Sequence, residues 1–269
     1  MAAGDTSFAG SIPALYERYL GPFIFHPYAQ DLAERVQKLA PSRVLETAAG
    51  TGIVTRALAA ALPGSAEIIA TDLNQAMLDM AASKVTAHNV SWKQADAQAL
   101  PFEAGSFDVV VCQFGTMFFP DKQRGYREAC RVLRNGGVFL FNVWDRIEAN
   151  EIPHLIAETA KAAFPDDPPR FLARTPHGYH DVSRIRDELR LAGFSRIEIE
   201  TVEKVSRAAS AREPAVGFCQ GTPLRTEIEA RDRSRLEEIT DRATEAVAAR
   251  YSRAEVSGKI SAHVFTAAN

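Results

Sequence analysis

The stretch Val44-Leu45-Glu46-Thr47-Ala48-Ala49-Gly50-Thr51-Gly52 constrains the fold more than any other part of the chain. Two apolar residues lead into an acid and a run of small residues. Ile53, Val54, Ala57, Leu58, Ala61 and Leu62 then recur at the spacing of one helical face until Pro63-Gly64 stops them. The pattern predicts strand, glycine loop, helix. A strand turning directly into a helix must reverse tightly, and small residues let a ligand approach the backbone at the positive helix N-terminus. Glu67 to Thr71 predicts a second buried strand ending at Asp72, 20 residues beyond Gly52. An acid at that tip is placed to accept both hydroxyls of a ribose, or to cap the helix that follows, and the two roles are compatible.

Two ligands share this plan, a dinucleotide and S-adenosylmethionine. A dinucleotide site wants G-x-G-x-x-G/A, so that the helix packs closely and faces a pyrophosphate. Here the position three after Gly52 is Thr55, and Glu46 stands at the loop entrance. A carboxylate there repels a diphosphate and tolerates a ligand carrying an ammonium and a sulfonium.

Further motifs follow in order. Glu46-x-Ala48-x-Gly50-x-Gly52 resembles the glycine motif of the class I S-adenosylmethionine-dependent methyltransferases, with Ala48 where the commonest form has glycine. Asp72-Leu73-Asn74-Gln75-Ala76-Met77-Leu78 resembles their ribose-binding acid and its helix, and Asp96-Ala97-Gln98-Ala99-Leu100-Pro101-Phe102 their adenine-side motif. Ser106 to Val111 is similar to the fourth strand, and Arg131 to Gly137 to the turn into the fifth. Within that family the set resembles the ubiquinone/menaquinone-biosynthesis C-methyltransferase branch, over about residues 42 to 144. The resemblance implies S-adenosylmethionine as cofactor, held by Glu46, Thr47, Ala48, Gly50, Asp72, Leu73, Met77, Asp96, Ala97, Gln98 and Gln113. It also implies a Rossmann-like, doubly wound α/β fold: a mostly parallel seven-stranded sheet with an antiparallel last strand and helical cap insertions.

The residues predict the same alternation over 43 to 144, with strands near 43–47, 67–71, 90–94, 107–113 and 138–144 and helices near 53–62, 75–86 and 121–134. Glu46, Asp72, Asp96 and Gln113 all fall at strand ends on the carboxyl side, where open α/β sheets bind ligands. Asp121 reads as a helix N-cap. Before the first strand, Tyr16, Tyr19, Phe23, Phe25 and Tyr28 precede a helix over Asp31 to Leu39. In the family such a segment can fold over the cofactor, so that Tyr16 or Tyr19 contacts its carboxylate; the alternative is aromatic packing under the helix. Beyond Trp144 come a helix near 151–163, a Pro-rich stretch, a helix capped by Asp181 or Ser183 and ending at Gly193, a strand over 195–202 and a last strand over 261–266. Residues 203–260, with helices near 211–219 and 224–250, read as an inserted cap over the site. The expected organisation is one methyltransferase domain over 1–269: core 42–144 plus 182–202 and 261–269, an N-terminal lid 1–41, and cap insertions 145–181 and 203–260.

The three cysteines, Cys112, Cys130 and Cys219, make neither a disulfide framework nor a C-x-x-C site. His177, His180 and Asp181 lie on a turn and lack a third and fourth metal ligand, so that no metal is expected. His26 and His154 read as ordinary lone histidines, and the charges from Arg225 to Arg242 as a solvated helix face. A net charge of -3 leaves no basic field for nucleic acid, and no apolar stretch is long enough to span a membrane. A cytoplasmic protein is expected.

The resemblance implies methyl transfer from S-adenosylmethionine to a small organic acceptor by in-line displacement, with an aromatic or quinone-like acceptor and a homodimer allowed and no nucleic-acid partner. An activated sulfonium mainly requires alignment in a water-poor pocket, so no catalytic residue stands out. A nicotinamide-dependent oxidoreductase and a non-catalytic cofactor-binding protein on the same fold are the competing classes.

Overall fold

The computed structural model describes residues 12–269, so Met1 to Ser11 of the expected lid lie outside the described residues. Seven strands form one sheet: β1 Arg43–Glu46, β2 Glu67–Asp72, β3 Val90–Gln94, β4 Phe107–Gln113, β5 Leu133–Trp144, β6 Arg196–Ala208 and β7 Val256–Ala268, in the order β3-β2-β1-β4-β5-β7-β6. β1 pairs in parallel with β2 and β4, β2 with β3, and β4 with β5. β7 runs antiparallel to both neighbours. Along β5 its partners fall as β5 rises, from Gly136 N donating to Asn269 Oδ1 to Asp145 N donating to Ser261 O, and along β6 from Ser195–Ala268 to Ser206–Gly258. The order reverses between β1 and β4, which puts the switch point at their C-terminal ends.

The chain forms two compact units. One comprises residues 26–143, 180–201 and 263–269 and holds the parallel strands. Its core carries an aromatic stack: Phe139 on Phe141 (4.6 Å between ring centroids), Phe141 on Phe265 (4.7 Å) and Phe139 on Phe194 (5.9 Å). Stacked rings contribute about 0.5–1.5 kcal/mol per pair beyond the area they bury. The other unit comprises, among the described residues, 12–25, 144–179 and 202–262, mostly helices. Helix 236–250 packs on helices 212–220 and 151–162. Gly217 lets the Tyr16–Phe25 run approach helix 212–220, since a Cβ there would stand 2.7 Å from Leu20.

Several boundaries differ from expectation, each for a local reason. β5 begins at Leu133 instead of 138, because the Arg134–Gly137 turn is a bulge in the ladder: Phe107 pairs Leu133, Val109 pairs Val138, and Gly136 has φ 74°. The helix expected over 224–250 is two, Leu224–Asp232 and Leu236–Arg250. Between them Asp232 Oδ1 accepts from Ser234 N (2.9 Å) and Ser234 Oγ (2.6 Å), a side-chain bond that competes with the helical backbone. The N-terminal helix starts at His26, and the aromatics before it sit on a wide π-helical run, Tyr16–Phe25. The helix expected over 75–86 ends at Ala82, β6 continues to Ala208, and β7 starts at Val256. No helix among the described residues is long and apolar enough to cross a membrane.

Candidate functional site: the glycine loop and the strand tips around it

The loop leaves β1 with Thr47 N donating to Val111 O and Ala49 N to Thr71 O, both 2.9 Å, so it is tied to the ends of β4 and β2. Three residues take the left-handed conformation: Ala48 (φ 54°), Gly50 (φ 56°) and Gly52 (φ 78°). A Cβ on Gly52 would stand 2.9 Å from Ala81 Cβ, so glycine there brings helix 53–61 against helix 75–82. Gly50 is different. A Cβ built on it meets nothing within 4 Å, which leaves its backbone open to a ligand.

Asp72 stands against that open backbone. Its carboxylate accepts from Gly50 N and from Asn74 N, each at 2.8 Å. It does not cap helix 75–82; Asn74 does, accepting from Ala76 N at 3.0 Å. Burial pushes the Asp72 carboxyl up against these backbone hydrogen bonds, which pull it down. A carboxylate offers about four acceptor sites, so two backbone bonds leave it capacity for hydroxyl donors.

The neighbouring motif is joined to this one. Asp72 O accepts from Ala95 N (3.0 Å), and Leu73 O from Gln94 Nε2 (2.9 Å). Asp96 Oδ1 accepts from Gln98 N (2.8 Å), closing a turn that leaves Asp96, Ala97 and Gln98 half-buried, while Gln98 Oε1 accepts from Asp121 N (2.8 Å). Leu73 is 63% exposed beside this turn and Met77 is buried in the helix that follows, so Leu73 is the one apolar surface here offered outward. Gly50 is thus bonded directly to Asp72, and the bonds from Ala95 and Gln94 to Asp72 O and Leu73 O hold the start of the Asp96–Gln98 turn beside them.

Glu46, expected at the loop entrance as a carboxylate that repels a diphosphate, is buried there. It is 2% exposed, and Thr55 Oγ1 donates to it at 2.6 Å. Burial, with the Asp72 charge adding to it, lifts the carboxyl to about 8 although the Thr55 bond pulls the other way. At neutral pH the group is mostly protonated, so its electrostatic repulsion of a diphosphate is weak. What separates this loop from a dinucleotide loop is the Glu46–Thr55 pair itself, which fills the place where that motif has a small residue.

Gln113 ends β4 opposite Asn142 on β5. The loop beyond it is a part of the site that motif matching missed. Phe114 adopts φ 50°, and its N–H donates to Asn142 Oδ1 at 2.9 Å. Gly115 faces the glycine loop: a Cβ on it would stand 2.5 Å from Ala48 Cβ and 2.7 Å from Cys112 Sγ. The methyl group that Ala48 adds to the glycine motif is accommodated by the one that Gly115 lacks. The sequence signal was a glycine directly after a strand, two residues past Gln113. Among the described residues Thr116 Oγ1 and Asn142 Nδ2 are buried without a hydrogen-bond partner.

His177 and His180 do not act together. His177 is buried with Nδ1 2.8 Å from Asp145 O, His180 is exposed, and Asp181 caps helix 182–191, accepting from Ser183 N and Arg184 N. Among the described residues no three His, Cys, Asp or Glu side chains could hold a metal ion together. Of the two tyrosines expected near a cofactor, Tyr16 stacks on Phe25 at 4.7 Å and Arg18 lies over the Tyr19 ring at 5.1 Å.

Comparison with known proteins agrees with this geometry. Residues 44–137 match a methyltransferase domain family. The ubiquinone/menaquinone biosynthesis C-methyltransferase UbiE of Idiomarina loihiensis is 27% identical over 176 residues, covering 60% of this chain and 69% of the relative. UbiE of Ectopseudomonas mendocina is 31% identical over 170 residues, 58% and 66% of the two chains. An uncharacterized protein of Mycobacterium tuberculosis is 43% identical over 97 residues, and there this chain covers about a third of the relative, 34%. A phosphoethanolamine N-methyltransferase 2 of Haemonchus contortus, solved with S-adenosylhomocysteine, shares the fold at a TM-score of 0.62 and 16% identity, over 100% of this chain and 61% of that one. The matched domain, the relatives and the strand-tip geometry together make this chain a class I S-adenosylmethionine-dependent methyltransferase, similar to the UbiE C-methyltransferases.

Proposed function

We propose that the glycine loop and Asp72 hold S-adenosylmethionine and that the methyl group goes to a small, flat, apolar acceptor of the quinol or phenol class. The observation that carries the cofactor placement is the open Gly50 backbone with the Asp72 carboxylate bonded beside it. Asp72 accepts from the ribose hydroxyls while keeping Gly50 in place. Leu73 offers an apolar face to the adenine, and the turn of Asp96, Ala97 and Gln98 offers polar groups to its edge. When bound, the cofactor supplies a methyl group already activated on a sulfonium. The chain then contributes alignment and exclusion of water, and alignment alone is able to lower such a barrier by about 7–11 kcal/mol.

We place acceptor choice outside the glycine loop, in residues 11–28, 145–181 and 203–260, whose described part carries Tyr16, Tyr19, Phe25, Phe171, Tyr179 and Phe218. Aromatic rings suit a flat acceptor. The similarity to UbiE favours a quinone-like molecule. A homodimer and a cytoplasmic location belong to the same reading.

Mass spectrometry of the purified protein tests for retained S-adenosylmethionine, and retained nicotinamide would refute the placement. Methyl transfer from labelled cofactor to a panel of quinols, phenols and amines tests the acceptor class. Methylation of amines alone overturns the quinol assignment.

A further inference from the structure

Residues 95–106 join β3 to β4 without helix or strand, so the backbone polar groups there have no ladder to pair with. Helix Lys122–Val132 and its cap supply partners instead. Gln98 O accepts from Arg124 Nε at 2.7 Å, and Gln98 Oε1 accepts from Asp121 N, at the helix start, at 2.8 Å. Leu100 N donates to Glu128 Oε2 at 2.7 Å. Arg131 donates to Leu100 O at 2.9 Å and to Phe102 O at 2.7 Å, while its Nε donates to Glu128 Oε1 at 2.7 Å. Asp121, Arg124, Glu128 and Arg131 recur at steps of three and four residues, the spacing of one helical stripe. That stripe is bonded to the chain from Gln98 to Phe102.

One end of the stripe meets the turn that carries Asp96. Asp96 Oδ1 accepts from Gln98 N at 2.8 Å and from Gln98 Nε2 at 3.2 Å, and among the described residues no bond reaches Oδ2. Each polar group of Gln98 is therefore bonded within the protein, two of them to Asp96, one to Asp121 and one to Arg124. The side chain that the family resemblance put against the cofactor is a brace between Asp96 and the helix.

Resting on the adenine-side placement proposed above, we propose that Gln98 and Arg124 are positioning residues for cofactor recognition. They aim Asp96 Oδ2 at the exocyclic amine of the base, and selectivity for adenine depends on them. An ionised carboxylate oxygen only accepts, so it attracts an amine N–H and repels a carbonyl oxygen standing in the same place. Arg124 is exposed, so its replacement is expected to leave the fold intact and to act through Gln98.

Calorimetric titration of S-adenosyl-L-homocysteine and of S-inosyl-L-homocysteine, which carries a carbonyl oxygen in place of that amine, reads the selectivity as a ratio of affinities. The wild type is expected to prefer the adenosyl ligand by about tenfold or more. Asp96→Asn keeps an oxygen for Gln98 N, puts an N–H donor in place of Oδ2, and is expected to lose the preference. Arg124→Met and Gln98→Met are each expected to shrink the ratio by about 2- to 10-fold, with thermal unfolding close to wild type. Equal weakening of both ligands, the mark of a merely structural role, would overturn the proposal, as would a wild-type ratio in both variants while Asp96→Asn loses it. A change confined to Gln98→Met would make Gln98 itself the base contact and overturn it too. A wild type without preference, or a preference that survives in Asp96→Asn, would refute the adenine-side placement and this inference with it.

Discussion

Gly115→Ala tests whether the glycine loop and the loop after β4 are fitted to each other. The added Cβ would stand 2.5 Å from Ala48 Cβ and 2.7 Å from Cys112 Sγ, whereas carbon atoms in contact settle at about 3.5–4.0 Å. Ala48 has no rotamer through which to yield, and Cys112 is fully buried in β4. The backbone has to move by about 1 Å, and overpacking of this kind typically costs ~1–3 kcal/mol. For a chain of this size each kcal/mol shifts Tm by about 2–4 °C, so a loss of roughly 2–12 °C is expected. Ala48→Gly acts in the opposite sense. It removes the other half of the clash and relieves the left-handed cost to a non-glycine residue, about 1–2 kcal/mol, against about 0.5–1 kcal/mol for the looser backbone. The double variant Ala48→Gly, Gly115→Ala should recover part of the loss, incompletely because Cys112 Sγ remains in the way, with a coupling energy of about 0.5–3 kcal/mol. Thermal unfolding of the four proteins, with calorimetric titration of S-adenosylmethionine into each, gives the cycle. Wild-type stability in Gly115→Ala, or strict additivity in the double variant, would refute the volume exchange.

The Glu46 carboxyl is raised in the fold from 4.5 to about 8, so between those values the unfolded chain binds fewer protons than the native one, and stability falls as pH rises through that window. Glu46→Gln should abolish this component, gaining on wild type by up to a few kcal/mol between pH 5 and 8; parallel denaturation curves at both pH values would contradict the assignment. Asp72→Ala leaves ribose hydroxyls and Gly50 N without their acceptor and should weaken cofactor binding by about 1.5–3 kcal/mol, to be checked by calorimetry on a variant shown to be folded. Exhaustive chelation should leave methyl transfer intact, because a sulfonium needs no Lewis acid. Activity lost on chelation and restored by one divalent ion would contradict that.

Much of the site was legible because its signals are local. Alternating strand and helix periods located β1 to β4 within about a residue, and the family motifs put Glu46, Gly50, Asp72 and the Asp96–Gln98 turn on successive strand ends, where the structure joins them. Asp121 was recognised as a helix cap, and Asp181 as one of two candidates with Ser183, because a cap is decided within three residues. Local competition was harder to read. Asp72 and Asn74 are two residues apart and both able to cap; only the loop across from Asp72, whose Gly50 N–H claims its carboxylate, leaves the cap to Asn74. The break at Asp232–Ser234 is likewise a side-chain bond that helical periodicity does not register.

By itself the sequence determined the fold class, the strand whose tip carries each candidate residue, and the methyltransferase family, since strand and helix periods and motif spacing are properties of neighbours along the chain. The tertiary structure alone decided the protonation of Glu46, because burial and the Thr55 hydroxyl set it. It alone revealed that Ala48 is tolerated through Gly115, 67 residues away, and that His177 Nδ1 meets the Asp145 carbonyl. These are properties of groups brought together across the fold, where desolvation, excluded volume and hydrogen-bond direction act through space and leave no periodic trace in the sequence.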